Sequence, residues 1–412
     1  TRRTVVARCG VQRGSGPRGA SSLGRVSTPV VYLDNAASAP TRPEAIEAMM
    51  PMLTDCYANP SGAHRMARDA RRALDDARDV LAEGLGCRPG EIVYTAGGTE
   101  ADNLAVFGVH ERRGGAVACT GTEHHAVLMP VEKLGGRVIG VHHSGLIDLD
   151  DLAAKLDPHV SVVSVGLVNG ETGVIQDLAA VADVVREHAP DAVLHTDAVQ
   201  AFPWLDVAAA AAPADLISIA GHKFCAPKGV GALVIREGIE IDPQLLGGGH
   251  ERGHRSGTHN SPGIVAMAAA AQAAMATRDR VVTEVGALRD QLADGIRAAV
   301  PGTHETGVTV GAEGSVDRSH KVAGSSHLCF EGIESEALLF LLEREDILAS
   351  AASSCSSGAQ DPSHVLAAMG YPRELAGGSL RLSLGHASTQ ADVDAALRVV
   401  PPAVARLREL GS

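Results

Sequence analysis

The sequence predicts an α/β protein with a mostly parallel sheet, joined to a smaller α+β part. Short apolar runs at Ala116–Thr120, Val160–Val168, Ala192–Thr196, Asp215–Ala220 and Gly231–Arg236 alternate, for the most part, with helical stretches such as Leu178–His188. Polar residues gather just past the ends of these runs: His124 and His125, Asn169 with Glu171, Asp197 with Gln200, and His222 with Lys223. In open α/β sheets that edge is where ligands bind.

In chain order, Val30 to Pro40 reads as a short strand running into a polar turn. Pro43 opens a helix to about Leu53, and Ser61 in Asn59-Pro60-Ser61 can cap the next one. Met66, Ala70, Ala73, Leu74, Ala77 and Leu81 recur at helical spacing, with Gly84 as the expected stop. Glu91 to Glu100 is a strand entering a glycine-rich turn, followed by a helix to about His110. Free N–H groups at that helix start, with the Thr99 hydroxyl, form an anion cradle, although neither a Walker nor a dinucleotide fingerprint is present.

The Asp215–Ala220 run ends at Gly221-His222-Lys223. A lysine partly desolvated at a strand end suits imine formation; a simple loop cation is the plainer reading of the same residues. Gly247 to Thr258 is a glycine-rich loop. His250, His254 and His259 invite a metal reading, which their spacing and the lack of a Cys or Asp ligand disfavour. An Ala-rich helix begins at Pro262. In the part that follows, Cys355 stands alone in a Ser/Gly/Ala loop, presented as a nucleophile would be, or as a chance surface thiol. Arg381 lies in the strand Gly378–Gly385 among apolar neighbours, a placement suited to bidentate carboxylate capture.

With 412 residues, two domains or one large unit are expected. The boundaries read as an extension at 1–29, a large domain at 45–275, and a small domain built from 30–44 with 276–412. Aromatic residues make up 2%, so the core must be aliphatic. No run reaches the length of a membrane span. A net charge of -13 argues against duplex nucleic acid as a partner. Seven scattered cysteines without a Cys-x-x-Cys pair fit a reduced compartment, hence a cytoplasmic expectation. Residues 1–29 hold six arginines and no acidic residue. They read as a disordered tail or mistranslated upstream sequence; a transit peptide there would point to a mitochondrion or plastid.

Several stretches together carry a family likeness: Tyr32-Leu-Asp-Asn-Ala-Ala, Asn59-Pro-Ser, Thr95-Ala-Gly-Gly-Thr-Glu, Thr122-Glu-His-His-Ala-Val and His195-Thr-Asp-Ala-Val-Gln. They are followed in order by His222-Lys223, the Gly247–Thr258 loop, Cys355 and Ser379-Leu-Arg381. This ordered set resembles the cysteine desulfurases of the NifS/IscS type, class V aminotransferase relatives that use pyridoxal 5'-phosphate. The resemblance runs from Tyr32 almost to the C-terminus. It implies an aspartate-aminotransferase-like large domain of pyridoxal-phosphate fold type I and a homodimer.

By position, the resemblance implies that Lys223 holds the cofactor as an imine and His124 stacks on its ring. Asp197 would pair with the pyridine nitrogen and Gln200 would donate to the ring hydroxyl. Gly98, Thr99 and His222 would bind the phosphate, with Thr258 reaching across from the second subunit. Asn35, Asn169 and Arg381 would contact the substrate, Arg381 through its carboxylate. Cys355 would take the sulfur of L-cysteine, leaving alanine and a persulfide for a protein acceptor, an iron–sulfur scaffold or a thiolation relay. Two positions depart from the pattern: Gly170 stands where an Asn is usual, and Ala220 where a phosphate-binding serine is common. Competing readings are a selenocysteine lyase, another pyridoxal-phosphate lyase or aminotransferase, and a non-catalytic sulfur-assembly scaffold.

Overall fold

The computed structural model describes residues 30–311, 314–351 and 363–411, so the 1–29 extension lies outside the described residues. Strand β1 (Val31–Tyr32) leads into α1 (Pro43–Thr54), where Pro43 occupies a first-turn position that needs no N–H. Helix α2 (Arg65–Leu85) buries Ala70, Leu74, Ala77 and Leu81 along one face. Ser61 and Gly84 are not its boundaries. His64 caps it, accepting from Ala67 N at 3.3 Å. Gly86, at φ 60°, closes it in the left-handed conformation that a side chain disfavours. Gly84 lies inside the helix, where a Cβ would come within 2.8 Å of Met275 Sδ.

Seven strands form the central sheet: β2 (Ile92–Thr95), β3 (Ala116–Thr120), β4 (Arg137–Ile139), β5 (Val160–Ser164), β6 (Val193–Asp197), β7 (Leu216–Ala220) and β8 (Gly231–Ile235). Their order is β2-β8-β7-β6-β5-β3-β4. Helices α3 (Gly98–Arg113), α4 (His125–Lys133), α5 (Leu149–Lys155), α6 (Leu178–His188) and α7 (Val207–Ala210) lie between them in sequence. From β7 to β4 every pairing is parallel, whereas β8 runs antiparallel to both β7 and β2. The loop 221–230 between β7 and β8 is too short for a crossover helix, which leaves an antiparallel return as the available path. Every residue of β5, β7 and β8 is buried, as strands covered on both faces must be. The apolar run at Val160–Val168 pairs only to Ser164; its remainder continues as a loop towards the site.

The remaining elements start with α8 (Ser261–Ala299), which at 1.5 Å per residue is about 58 Å long. Strands β9 (Thr303–Glu305), β10 (Thr309–Val310), β11 (Val316–Asp317) and β12 (Ser325–Phe330) follow, then α9 (Ser335–Glu343) and β13 (Ile347–Leu348). Helices α10 (His364–Ala368) and α11 (Arg373–Gly377), strand β14 (Ser379–Ser383) and helix α12 (Gln390–Gly411) complete the chain. β14, β12 and β9 form an antiparallel sheet, and β1 pairs parallel with β13. Ile264, Met267 and Ala274 of α8 join the core beneath the central sheet. Val281, Leu292 and Ile296 of the same helix join a second cluster with Leu33, Phe330 and Leu380. Among the described residues no helix is long and apolar enough to cross a membrane.

Trp204, the chain's one tryptophan, packs where these two clusters meet. A Cβ on Gly324 would overlap its indole ring and sit 2.7 Å from Leu384 O. Gly324→Ala is therefore expected to cost about 1–3 kcal/mol through overpacking and to shift tryptophan emission. Urea unfolding followed by fluorescence checks this; an unchanged midpoint and spectrum would refute it.

Candidate active site

A cavity of about 590 Å³ opens at the carboxyl ends of the parallel strands. Gly98, Thr99, His124, Asn169, Asp197, Gln200, His222, Lys223 and Arg381 all line it. The end of β3 supplies His124, the loop after β5 supplies Asn169, the end of β6 supplies Asp197, and the β7–β8 return supplies Lys223.

One wall is the start of α3. The first N–H groups of a helix have no intrahelical acceptor and carry its positive dipole end. Gly98 is required here, because a Cβ would come within 2.7 Å of Val199 Cγ2. Gly231 lets α3 start close to β8, since a Cβ there would lie 2.8 Å from Gly97 Cα. Beside it, burial and then the nearby Lys223 push the His222 imidazole down to about 4, which leaves it neutral.

Asp197 sits at the floor, its carboxylate held by Val199 N at 2.8 Å. Burial raises its pKa, but that N–H, His124 and Lys223 all favour the charged form. Behind it on α3, Asp102 is 1% exposed, and only a hydrogen bond from Ser218 favours its charged form. Its Oδ1 makes no hydrogen bond among the described residues, and burial together with Asp197 pushes its pKa well up. Two neighbouring buried carboxyls do not both ionise easily; Asp197 holds the charge and Asp102 the proton. His195 lies 3.7 Å from Asp102 Oδ1 and bridges Ser164 Oγ (2.7 Å) and Ser218 Oγ (3.0 Å). Burial holds its pKa at about 3.

His124 caps α4, its Nδ1 accepting from Ala126 N at 3.0 Å. The ring proton is therefore on Nε2, and burial, opposed by Asp197, lowers the imidazole pKa. Next to it, buried Glu123 accepts from Thr120 Oγ1 at 2.6 Å and Gly166 N at 2.8 Å. Burial still raises its carboxyl to about 7.

Lys223 Nζ donates to Ala36 O at 2.6 Å and Ala37 O at 3.0 Å. Gln200 Nε2 donates to the same Ala36 O at 2.8 Å. On the opposite side Arg381 donates through Nη2 to Asp34 Oδ1 at 2.9 Å and through Nη1 to Gly170 O at 3.0 Å. Its Nε is buried and has no partner among the described residues. Asn169 spends its side chain on the turn it begins, donating to Thr122 O and accepting from Glu171 N and Thr172 N. Asn35 donates to Ser383 O at 2.9 Å and lines a smaller neighbouring cavity. Thr258 is exposed and does not line the main cavity. His259 is committed to Glu251 at 2.7 Å. Cys355 lies outside the described residues, yet the residues flanking its loop, Ser350 and Ser363, both line the cavity.

Three acidic residues escaped sequence reasoning. Asp34 sits in the Tyr32-Leu-Asp-Asn stretch, and its charge beside Asn35 was the available signal. Asp102 falls one helical turn after Gly98, on the face turned to the sheet. Glu123 precedes His124 directly, and no local pattern marked it as buried.

Residues 31–396 match the family model for aminotransferase class-V. An IscS-like cysteine desulfurase of Mycobacterium tuberculosis is 41% identical over 393 residues, covering 92% of this chain and 97% of that protein. A solved NifS-like protein superposes with a TM-score of 0.83 at 31% identity, covering 92% of this chain and all of that one. A structure of SspA in complex with cysteine superposes with a TM-score of 0.72 at 29% identity, over 87% of this chain and 99% of that one.

His195 makes acid stability testable. Its folded pKa of about 3 lies below the ordinary value near 6.5, so protons bind the unfolded chain preferentially. Its contribution is complete above about pH 6.5 and is lost as pH falls towards 3, at up to about 1.4 kcal/mol per pH unit. His195→Gln should flatten that slope in urea denaturation run from pH 7 to pH 4. Parallel profiles for the two proteins would show that His195 is not the titrating group.

Proposed function

The chain belongs to the aminotransferase class-V family and is a cysteine desulfurase, and from that premise we propose that its main cavity binds pyridoxal 5'-phosphate and L-cysteine, with Cys355 as sulfur acceptor. The observation that carries this reading is one cavity lined by Lys223, Asp197 and Arg381 together with Ser350 and Ser363, which stand on either side of Cys355 in the sequence.

The residues fit the cofactor. Lys223 supplies the amine, and the start of α3 with Thr99 and His222 supplies a cradle for its phosphate. Asp197, charged while Asp102 is neutral, suits a cationic ring nitrogen, and Gln200 keeps one amide hydrogen beyond its bond to Ala36 O. Ala220 adds no hydroxyl to the cradle, and Gly170 leaves the ring side to Gln200. Exposed Thr258 completes the phosphate site from the partner subunit of a homodimer. Once bound, the cofactor supplies an electron-accepting ring that labilises bonds at the substrate Cα.

The protein's own groups then have separable tasks. Arg381, held in place by Asp34 and Gly170 O, offers its unpartnered Nε to the substrate carboxylate. Asn35 and Asn169 shape the substrate side by fixing the two turns that border it. Lys223, released from the Ala36 and Ala37 carbonyls, moves a proton at Cα. His124, with its proton on Nε2, would lie against the bound ring and donate towards the substrate sulfur. In the net reaction the substrate C–S bond breaks and an S–S bond forms on Cys355. L-cysteine and a thiol become L-alanine and a persulfide, the substrate carbon being reduced as the Cys355 sulfur is oxidised. A protein thiol or scaffold then takes the sulfur.

Assaying alanine and persulfide after addition of L-cysteine tests the whole assignment. Lys223→Ala should yield no alanine, and borohydride should no longer fix a pyridoxyl group to the chain. Cys355→Ser should keep that fixation while yielding no persulfide. Mass spectrometry that finds the persulfide on another cysteine of the parent protein would sink the assignment of Cys355.

Arg381→Ala should raise KM for L-cysteine. Losing a charge-assisted carboxylate partner costs about 2–5 kcal/mol, or at least about thirtyfold. An unchanged KM would assign the carboxylate to a different cation.

A further inference from the structure

Behind Lys223 lies a second, smaller cavity of about 50 Å³, walled from the first by Ala36, Gln200 and Lys223 itself. Among the described residues the titratable side chains lining it are Arg42, Lys223, Cys225, Arg278 and His386, with no aspartate or glutamate. In a chain of net charge -13 such a lining is unusual. Lys223 spends its ammonium on the Ala36 and Ala37 carbonyls. Burial lowers His386 and raises Cys225, so both are neutral at pH 7. Lys223 keeps its charge but turns it to those carbonyls, which leaves Arg42 and Arg278 as the further cations of the lining.

Their hydrogen-bonding capacity is not used up. Arg42 is 8% exposed, and its Nε is buried without a partner among the described residues. Arg278 leaves both Nε and Nη2 buried and unpartnered, and these two atoms form one edge of the guanidinium fork. Its Cζ is held 5.9 Å from the centre of the Phe202 ring. On the wall contributed by β12, Ser325 Oγ is buried and unpartnered as well. Neither arginine has a carboxylate within ion-pair distance among the described residues; Asp206 and Asp279 reach Arg278 only through their fields. Buried donors without acceptors are costly, and a guanidinium edge matches two oxygens of one anion. At about 10–15 Å³ for each water-sized occupant, the space accepts a group of a few heavy atoms.

We infer that this second cavity is a binding site for a small inorganic oxyanion, gripped by the Nε/Nη2 edge of Arg278, Arg42 Nε and the Ser325 hydroxyl. It is separate from the substrate carboxylate site at Arg381, which lines only the larger cavity. Trp204 lines the smaller cavity and reports on it directly.

The test titrates sodium sulfate into the cofactor-loaded protein in place of sodium gluconate at constant ionic strength, while Trp204 emission is followed. A saturable change is expected, with a midpoint that moves at least about tenfold higher in Arg278→Gln. Ser325→Ala, a milder change, should weaken it about threefold. Arg381→Ala should leave the midpoint in place. A response without saturation, or one identical in Arg278→Gln and the parent, overturns the site. Loss of the response in Arg381→Ala puts sulfate in the larger cavity and overturns it equally.

Discussion

Four residues, Asp34 to Ala37, tie the working parts together. The Ala36 carbonyl accepts from both Lys223 and Gln200, which lie in the turns just past β7 and β6 of the central sheet. Asp34 accepts from Arg381, and Ala36 N donates to Ser383 Oγ, both on β14. The amine-bearing side chain and the carboxylate-binding side chain are therefore registered against one short turn. Backbone carbonyls make a suitable anchor for the lysine. They hold an ammonium without neutralising it, so it can leave for a reaction without stranding a buried charge.

Below that turn the floor is organised by the control of charge. Asp197 keeps its negative charge because Val199 N and the Lys223 ammonium face it, while Asp102, supported by Ser218 alone and beside Asp197, takes up a proton. His195 and His222 are held neutral by burial, and His124 by burial and by its capping bond to Ala126. One fixed anion among neutral donors gives a well-defined field at the ring position, and little has to reorganise when a cationic ring arrives.

Much of this was legible in the sequence, and the reason is locality. Strand ends, the glycine-rich start of α3, and the residues that follow each strand are written in consecutive positions, so the sheet edge and its polar lining could be read directly. Contacts between distant segments left no such trace. Asp34 meets Arg381 across 347 positions, and neither residue alone announces the other. The antiparallel course of β8 depended on the length of one loop, where runs of apolar residues look alike in either direction. The caps of α2 were misplaced because Ser61 and Gly84 carry the usual chemistry, whereas the packing gave those roles to His64 and Gly86. Cys225 looked like any scattered thiol until the fold set it beside Arg42 and His386.

Helix α8 has a mechanical consequence. Sharp bends in helices form at proline or glycine, and the segment of α8 from Ala274 to Val281, where it passes from one apolar cluster to the other, contains neither. It behaves as a stiff beam clamped at both ends. Besides the beam, the clusters are tied by the Val174–Lys321 bridge and by the strap of chain at Asp34–Ala37. Of these ties only the strap touches the lysine ammonium, so the seat of the Lys223 amine is set by the same few residues that join β1 to β14.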